Sequence, residues 1–136
     1  MKDREVEHLV NDTKWCPIDQ AFKVLGKKFT IHILRNMLLL KQKRFNEFID
    51  SIEGINTKIL SIRLKEMEAE GLITRKSFNE SPPRVEYYVT QKGKSIEPIL
   101  EQMAAFSLYF YPEIIFKDKK PRTFEEFMNR KTKRMK

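Results

Sequence analysis

A chain of 136 residues, 40% hydrophobic and 34% charged, has the size and balance of one soluble globular domain with some length left for dimerisation or tails. Its 27 Lys and Arg against 19 Asp and Glu give a formal charge of +8, which points to a polyanionic partner, while its single cysteine excludes an internal disulfide framework and any Cys-x-x-Cys metal or redox motif. The longest apolar run, residues 37–40, is too short to cross a bilayer, and Met1-Lys2-Asp3-Arg4-Glu5 lacks the apolar stretch of a secretory signal, so a cytoplasmic protein with no membrane partner is expected.

The charge is unevenly spread. Residues 1–22 are acidic by 2, residues 23–94 basic by 7, residues 95–116 acidic by 3 and residues 117–136 basic by 6. Lysine and arginine attract phosphates through Coulomb forces and counterion release, so the middle block and the tail are the candidate nucleic-acid surface.

In chain order, Cys16-Pro17 opens a short helix that Gly26 stops, with Pro17 suited to a first turn. Phe29, Ile33, Leu34, Met37 and Leu38 recur at helical spacing, predicting an amphipathic core helix over residues 28–40. Phe45, Phe48, Ile49 and Ile52 repeat over a shorter span, with Asn46 as the expected cap of a helix over 47–51. Gly54 breaks the chain, and the next helix is expected over 57–70, stopped by Gly71 and facing inward through Leu60, Leu64 and Met67. Two short helices joined by a tight Gly-containing turn make a helix-turn-helix.

After Gly71, residues 72–78 are rich in β-branched side chains, and Val85, Tyr87 and Val89 alternate with Glu86 and Tyr88 at period two. Asn79-Glu80-Ser81-Pro82-Pro83-Arg84 between them is a hairpin loop too long for a tight turn, as a wing requires. Thr90 is expected to cap one long, heavily apolar helix over 91–110, bent by Pro98. That helix carries more apolar surface than one small domain covers, which argues for burial against a second subunit. Thr123-Phe124-Glu125-Glu126 matches a capping box at the start of a final short helix with a basic end.

With Leu60, Leu64 and Met67 facing the core, the 3.6-residue period turns Lys58, Ile62 and Lys65 outward and sets Thr57 and Ser61 at the border of that face. An α-helix fits the major groove, where hydroxyls and lysines reach base edges or phosphates and Ile62 meets a thymine methyl. Asn56, at the helix N-terminus, is placed to contact phosphate. Arg44 and Arg84 complete the candidate DNA-binding set, Arg84 at the end of a loop stiffened by Pro82-Pro83 and aimed at the minor groove or backbone. The bland alternatives are a solvated helix face for the first group and, for Arg84, a salt bridge to a nearby glutamate.

These stretches carry a resemblance. Gly54-Ile55-Asn56-Thr57-Lys58-Ile59-Leu60 and Pro82-Pro83-Arg84-Val85-Glu86-Tyr87 closely resemble the HxlR family of winged helix-turn-helix transcription regulators, a branch of the MarR-like proteins. The likeness runs from about Cys16 to Phe106 through Cys16-Pro17-Ile18, Val24-Leu25-Gly26, Arg44-Phe45-Asn46-Glu47, Leu64-Lys65-Glu66-Met67-Glu68 and Gly71-Leu72-Ile73. It implies a mainly α fold with a small β-wing (α+β), a winged helix-turn-helix with flanking dimerisation helices. It also implies a homodimer that regulates transcription, more often as a repressor, on double-stranded DNA. The corresponding division is an N-terminal segment at 1–15 partly used in dimerisation, a winged helix-turn-helix domain with its dimerisation helix at 16–110, and a basic extension at 111–136. The family's usual Gly-Gly-Lys-Trp is here Gly26-Lys27-Lys28-Phe29, and Ile62 and Arg63 replace polar positions of the recognition helix, which leaves the target sequence open.

Some members of the family resemble redox or electrophile sensors with a cysteine near the N-terminus, so Cys16 is the candidate sensor and a redox or small-molecule effector a candidate partner. A helix start stabilises a thiolate and Lys14 is near; the alternative is a small structural residue. His8 and His32 are too few and too scattered for a metal site, and no cofactor is expected. There is no Gly-rich phosphate loop, no His-Glu-x-x-His and no recognisable Cys-His pair, so the chain is not expected to be an enzyme. The rival reading is a winged-helix module that binds RNA or a protein partner rather than an operator.

Overall fold

A computed structural model describes residues 14–135. Helix α1 spans Pro17–Leu25, with Pro17 in its first turn and the Gly26 amide closing it on the Phe22 carbonyl at 2.7 Å. It buries none of its residues. Helix α2, Thr30–Leu39, does the opposite: Ile33, Leu34, Met37 and Leu38 are all buried, and it runs through the centre of the core. Phe29, expected inside this helix, instead precedes it at φ 77°, in the left-handed region. That conformation costs an aromatic residue roughly 1–2 kcal/mol, and the near-complete burial of the ring offsets it.

Helix α3, Phe45–Ser51, starts two residues earlier than the sequence suggested. Asn46 does not cap it. The Glu47 carboxylate reaches back instead, accepting from the Arg44 amide at 3.0 Å and the Lys43 amide at 3.2 Å. A buried polar knot ties α3 to α2: the Asn36 side-chain amide donates to Ser51 Oγ at 2.8 Å and to Gln42 Oε1 at 3.0 Å. Asn36 is fully enclosed, so losing either acceptor would strand a buried donor. Gly54 makes the turn at φ 82°, a conformation side chains resist.

Helix α4, Thr57–Ala69, is capped by Asn56, whose Oδ1 accepts from the Ile59 amide at 2.8 Å. Leu60, Leu64 and Met67 are buried, as the periodicity predicted. Gly71, at φ 77°, ends the helix, and the Leu72 amide folds back to the Met67 carbonyl at 2.9 Å. Strands β1 (Ile73–Phe78) and β2 (Arg84–Val89) pair antiparallel, with Arg75 opposite Tyr87 and Lys76 opposite Glu86. On its far edge β2 is also fastened to the entry of α3, through the Tyr87 amide and the Lys43 carbonyl at 2.8 Å.

The single long helix expected over 91–110 is two. Helix α5 covers Gln91–Lys94, capped by Thr90 Oγ1, and α6 covers Glu97–Phe110. Pro98 therefore does not bend a continuous helix; it sits in the first turn of a new one, where its missing N–H has no intrahelical partner to lose. Gly93 lies against the sheet so closely that an added Cβ would stand 2.2 Å from the Leu72 carbonyl oxygen. Ile96 and Leu100 then carry α6 into the common core with α2. Beyond it come α7 (Pro112–Ile115) and α8 (Phe124–Met135), which folds back onto α6. Thr123 Oγ1 caps α8 by accepting from the Glu126 amide at 3.1 Å.

Candidate nucleic-acid interface

The outward face of α4 is what its inward stripe leaves over. Thr57, Lys58, Ser61, Ile62 and Lys65 are all exposed, and Ile62, an apolar side chain, keeps 42% of its surface in solvent. Asn56 spends its carbonyl oxygen on the cap and stays exposed. Arg63 has a different task. Its Nε donates to the Lys28 carbonyl at 2.8 Å and its Nη1 pairs with Glu66 at 3.2 Å, while Lys27 reaches the same Glu66 at 3.4 Å. The middle of the helix is thereby fastened to the loop that follows α1.

Between α4 and the sheet runs a cleft of about 390 Å³ lined by Ser61, Leu64, Lys65, Glu68, Arg75 and Tyr87. Arg75 is an exposed cation facing the recognition helix, and the sequence reading did not single it out. The strand period could have found it: Arg75 shares a sheet face with Ile73, which is buried on the core side.

The other face of the sheet holds a charge cluster. Glu86 is only 3% exposed, and three cations surround its carboxylate: Arg84 Nε at 3.4 Å, Lys43 Nζ at 3.5 Å and Arg44 Nη2 at 3.6 Å. The Tyr88 hydroxyl donates a hydrogen bond to the same group. That bond, with Lys43 and Arg84 adding to it, holds the Glu86 carboxyl below its ordinary range against the opposing effect of burial, so it is ionised throughout the neutral range. The mirror effect raises the Tyr88 phenol. Arg84 is further tied to Glu80 at 3.2 Å and stacked 4.1 Å over the Phe78 ring. The ion pair weighed as the alternative for Arg84 is thus present with two partners, and the residue, opposite Phe78 in the last rung before the loop, stands at the loop end of the hairpin. Arg44 remains half-exposed beside it.

Elsewhere on the surface, α1 and α6 expose apolar side chains in quantity: Phe22 is 68% exposed and Tyr109 67%. A groove of about 340 Å³ between the two helices, with Phe22, Leu25, Ile31, Ile99 and Met103 in its walls, has a wholly apolar lining. Cys16 is exposed at the N-cap of α1. His32 is on the surface of α2, its ring edge-on to Phe29 at 5.9 Å, and among the described residues no group of three metal-ligating side chains comes together. No described helix is long and apolar enough to cross a membrane. The basic residues after Asn129, part of the charged tail, have side chains outside the described set.

A helix-turn-helix of α3 and α4, followed by a two-stranded wing, defines a winged helix-turn-helix. Residues 24–114 match the HxlR-like helix-turn-helix family, and the chain belongs to that family of transcriptional regulators. Over 88 residues it is 40% identical to an HTH-type transcriptional regulator of Synechocystis sp., a match covering 65% of this chain and 64% of that protein. Over 99 residues it is 34% identical to the HTH-type regulator YybR of Bacillus subtilis, covering 73% and 78%. Among solved structures it is similar to a MarR-family transcriptional regulator of Porphyromonas gingivalis W83, with 31% identity and a TM-score of 0.63 over 71% of this chain and 93% of that one. It is also similar to the redox regulator HypR in its oxidized form, with 34% identity and a TM-score of 0.62 over 68% and 94%.

Proposed function

We propose that the protein is a homodimer that binds double-stranded DNA in a sequence-specific manner and represses transcription by occupying an operator. The observation that carries the reading is the exposed face of α4, where Thr57, Lys58, Ser61, Ile62 and Lys65 stand together beside a cleft lined by Arg75. Asn56 caps the start of this helix, and Arg44 and Arg84 stand together at Glu86 on the other face of the sheet. Lysine and hydroxyl groups supply phosphate and base-edge contacts, and Ile62 supplies an apolar contact to a thymine methyl. The dimer reading is supported by the apolar surfaces of α1 and α6, larger than a monomer ordinarily leaves in water. In this reading residues 16–110 are the DNA-binding and dimerising domain and residues 111–136 a basic extension, while the segment 1–15, expected to share in dimerisation, lies outside the described residues but for its last two. Two-fold symmetry then calls for a pseudo-palindromic operator with half-sites about one helical turn apart, or a multiple of it.

Redox control through Cys16 is the associated regulatory reading, supported by its exposure on α1 and by the likeness to HypR. A Cys16→Ser protein should lose any response of DNA binding to oxidant; an undiminished response removes the idea. The main test is a mobility-shift series with duplex DNA, single-stranded DNA and RNA at several salt concentrations. Preference for duplex is expected. Equal or tighter binding to single-stranded RNA would favour the rival, although single-strand binding calls for stacking aromatics and the exposed Phe22, Phe106, Tyr109 and Phe110 lie on α1 and α6, away from α4.

A further inference from the structure

The cluster around Glu86 is not explained by packing. A carboxylate enclosed to this degree is costly to desolvate, and none of its ion pairs is short and bidentate: its three cations stand at 3.4, 3.5 and 3.6 Å. Lys43 and Arg44 each keep about half of their side-chain surface in solvent and Arg84 a third, so the ring of positive charge opens outward while its counter-charge lies beneath. Three positive groups against Glu86 and Glu80, the second paired with Arg84 alone at 3.2 Å, leave an excess of one charge where the entry of α3 meets β2. The Tyr87 amide on the Lys43 carbonyl holds those two segments in register.

We propose that Glu86 is the positioning residue of the DNA interface: from beneath, it gathers Lys43, Arg44 and Arg84 into one rim that grips the phosphate backbone at the wing. The inference rests on the duplex-binding reading above and adds to it two residues, Glu86 and Lys43, with a role for each. Without the carboxylate, three like charges within a few ångströms repel and spread, and the rim loses the geometry a phosphate needs. Glu86 touches no DNA itself. Its effect is opposite in sign to what its charge alone would do, since removing a negative charge from a DNA-binding surface by itself strengthens binding.

That opposition makes the test. Binding of a fluorescein-labelled 30-base-pair mixed-sequence duplex is followed by anisotropy from about 50 to 200 mM NaCl, where the log–log slope falls by about 0.9 for each phosphate the protein no longer neutralises. For Glu86→Gln, which keeps the shape and an acceptor for Tyr88, the expected result is weaker binding by about fivefold or more at the low end of the series and a slope shallower by about 1 to 2. Binding as tight as wild type or tighter, with an equal or steeper slope, overturns the proposal. Lys43→Gln, at a side chain half in solvent, is the second variant: a slope shallower by about 0.9 is expected with the fold intact by circular dichroism, and an unchanged slope overturns the proposal even where Glu86→Gln fails to fold. If wild-type protein binds no duplex, the duplex-binding reading falls with it; if wild type binds and both variants match it, only the role of Glu86 falls.

Discussion

The two ends of this molecule obey the same helical period and yet present opposite surfaces. On α4 the inward positions are filled by Leu60, Leu64 and Met67 and the outward ones by lysines, hydroxyls and a single isoleucine, with Glu68 and Ala69 following in the last turn. On α1 and α6 the positions left outside after the core is satisfied are Phe22, Ile99, Met103, Phe106 and Tyr109. Water solvates the first surface at little cost and the second at a large one, so the first is built to meet a charged polymer and the second to meet another apolar face. On the proposed reading, a fold with one surface of each kind would couple its oligomeric state to its grip on DNA, because two weak half-site contacts become one strong one only when the apolar faces are joined.

The sharpest way to break this contrast is to make the apolar end polar. Phe22→Glu combined with Met103→Glu should give a monomer by sedimentation and weaken duplex binding by about 100-fold or more through loss of bivalency, with the isolated fold intact. Next in size is Leu64→Ala beneath the recognition surface: a cavity under α4 should cost about 2–5 kcal/mol in denaturant unfolding, since Leu64 is almost entirely enclosed. Lys58→Ala and Lys65→Ala should each weaken binding by about 1–3 kcal/mol if the lysine meets a base edge, or else flatten the salt slope by about 0.9 if it meets a phosphate, with the melting temperature unmoved. The smallest effect lies away from both ends. Partial burial and the neighbouring Arg35 hold His32 below its ordinary value of 6.5. The unfolded chain therefore takes up the proton first as pH falls, and stability should decline below about pH 6.5, by less than about 0.5 kcal/mol at this solvent-screened position. Comparing His32→Gln with wild type at pH 7.5 and 5.5 checks it, and an identical pH dependence in the two proteins would sink that assignment.

What could be read from the sequence was what local periodicity controls. The exposure of Lys58, Ser61, Ile62 and Lys65 follows from the spacing of three buried residues on the same helix, and the hairpin from alternation on either side of a Pro-rich loop. Glu86 was missed for the same reason the hairpin was found. Alternation places it opposite the apolar residues of β2, which reads as solvent, and only the approach of Lys43 and Arg44 from about forty residues earlier encloses it. The same limit applies to α5 and α6, where apolar residues continue at helical spacing across Ser95 and Ile96 although the chain turns there. Gly93 shows why: it must lie flat on the Leu72 carbonyl before the next helix can enter the core, a demand of the sheet that no local pattern records. Asn46 failed as a cap because Glu47, one residue on, reaches two free amides at once.

Arg63 looks, by composition, like one more cation of the recognition helix. Its hydrogen bond to the Lys28 carbonyl and the Lys27–Glu66 pair beside it make it a strut between α4 and the end of α1. In the proposed dimer, a helix braced at its midpoint to the end of α1 would not tilt alone, and a change in how two copies lean on one another would then reach the angle of α4.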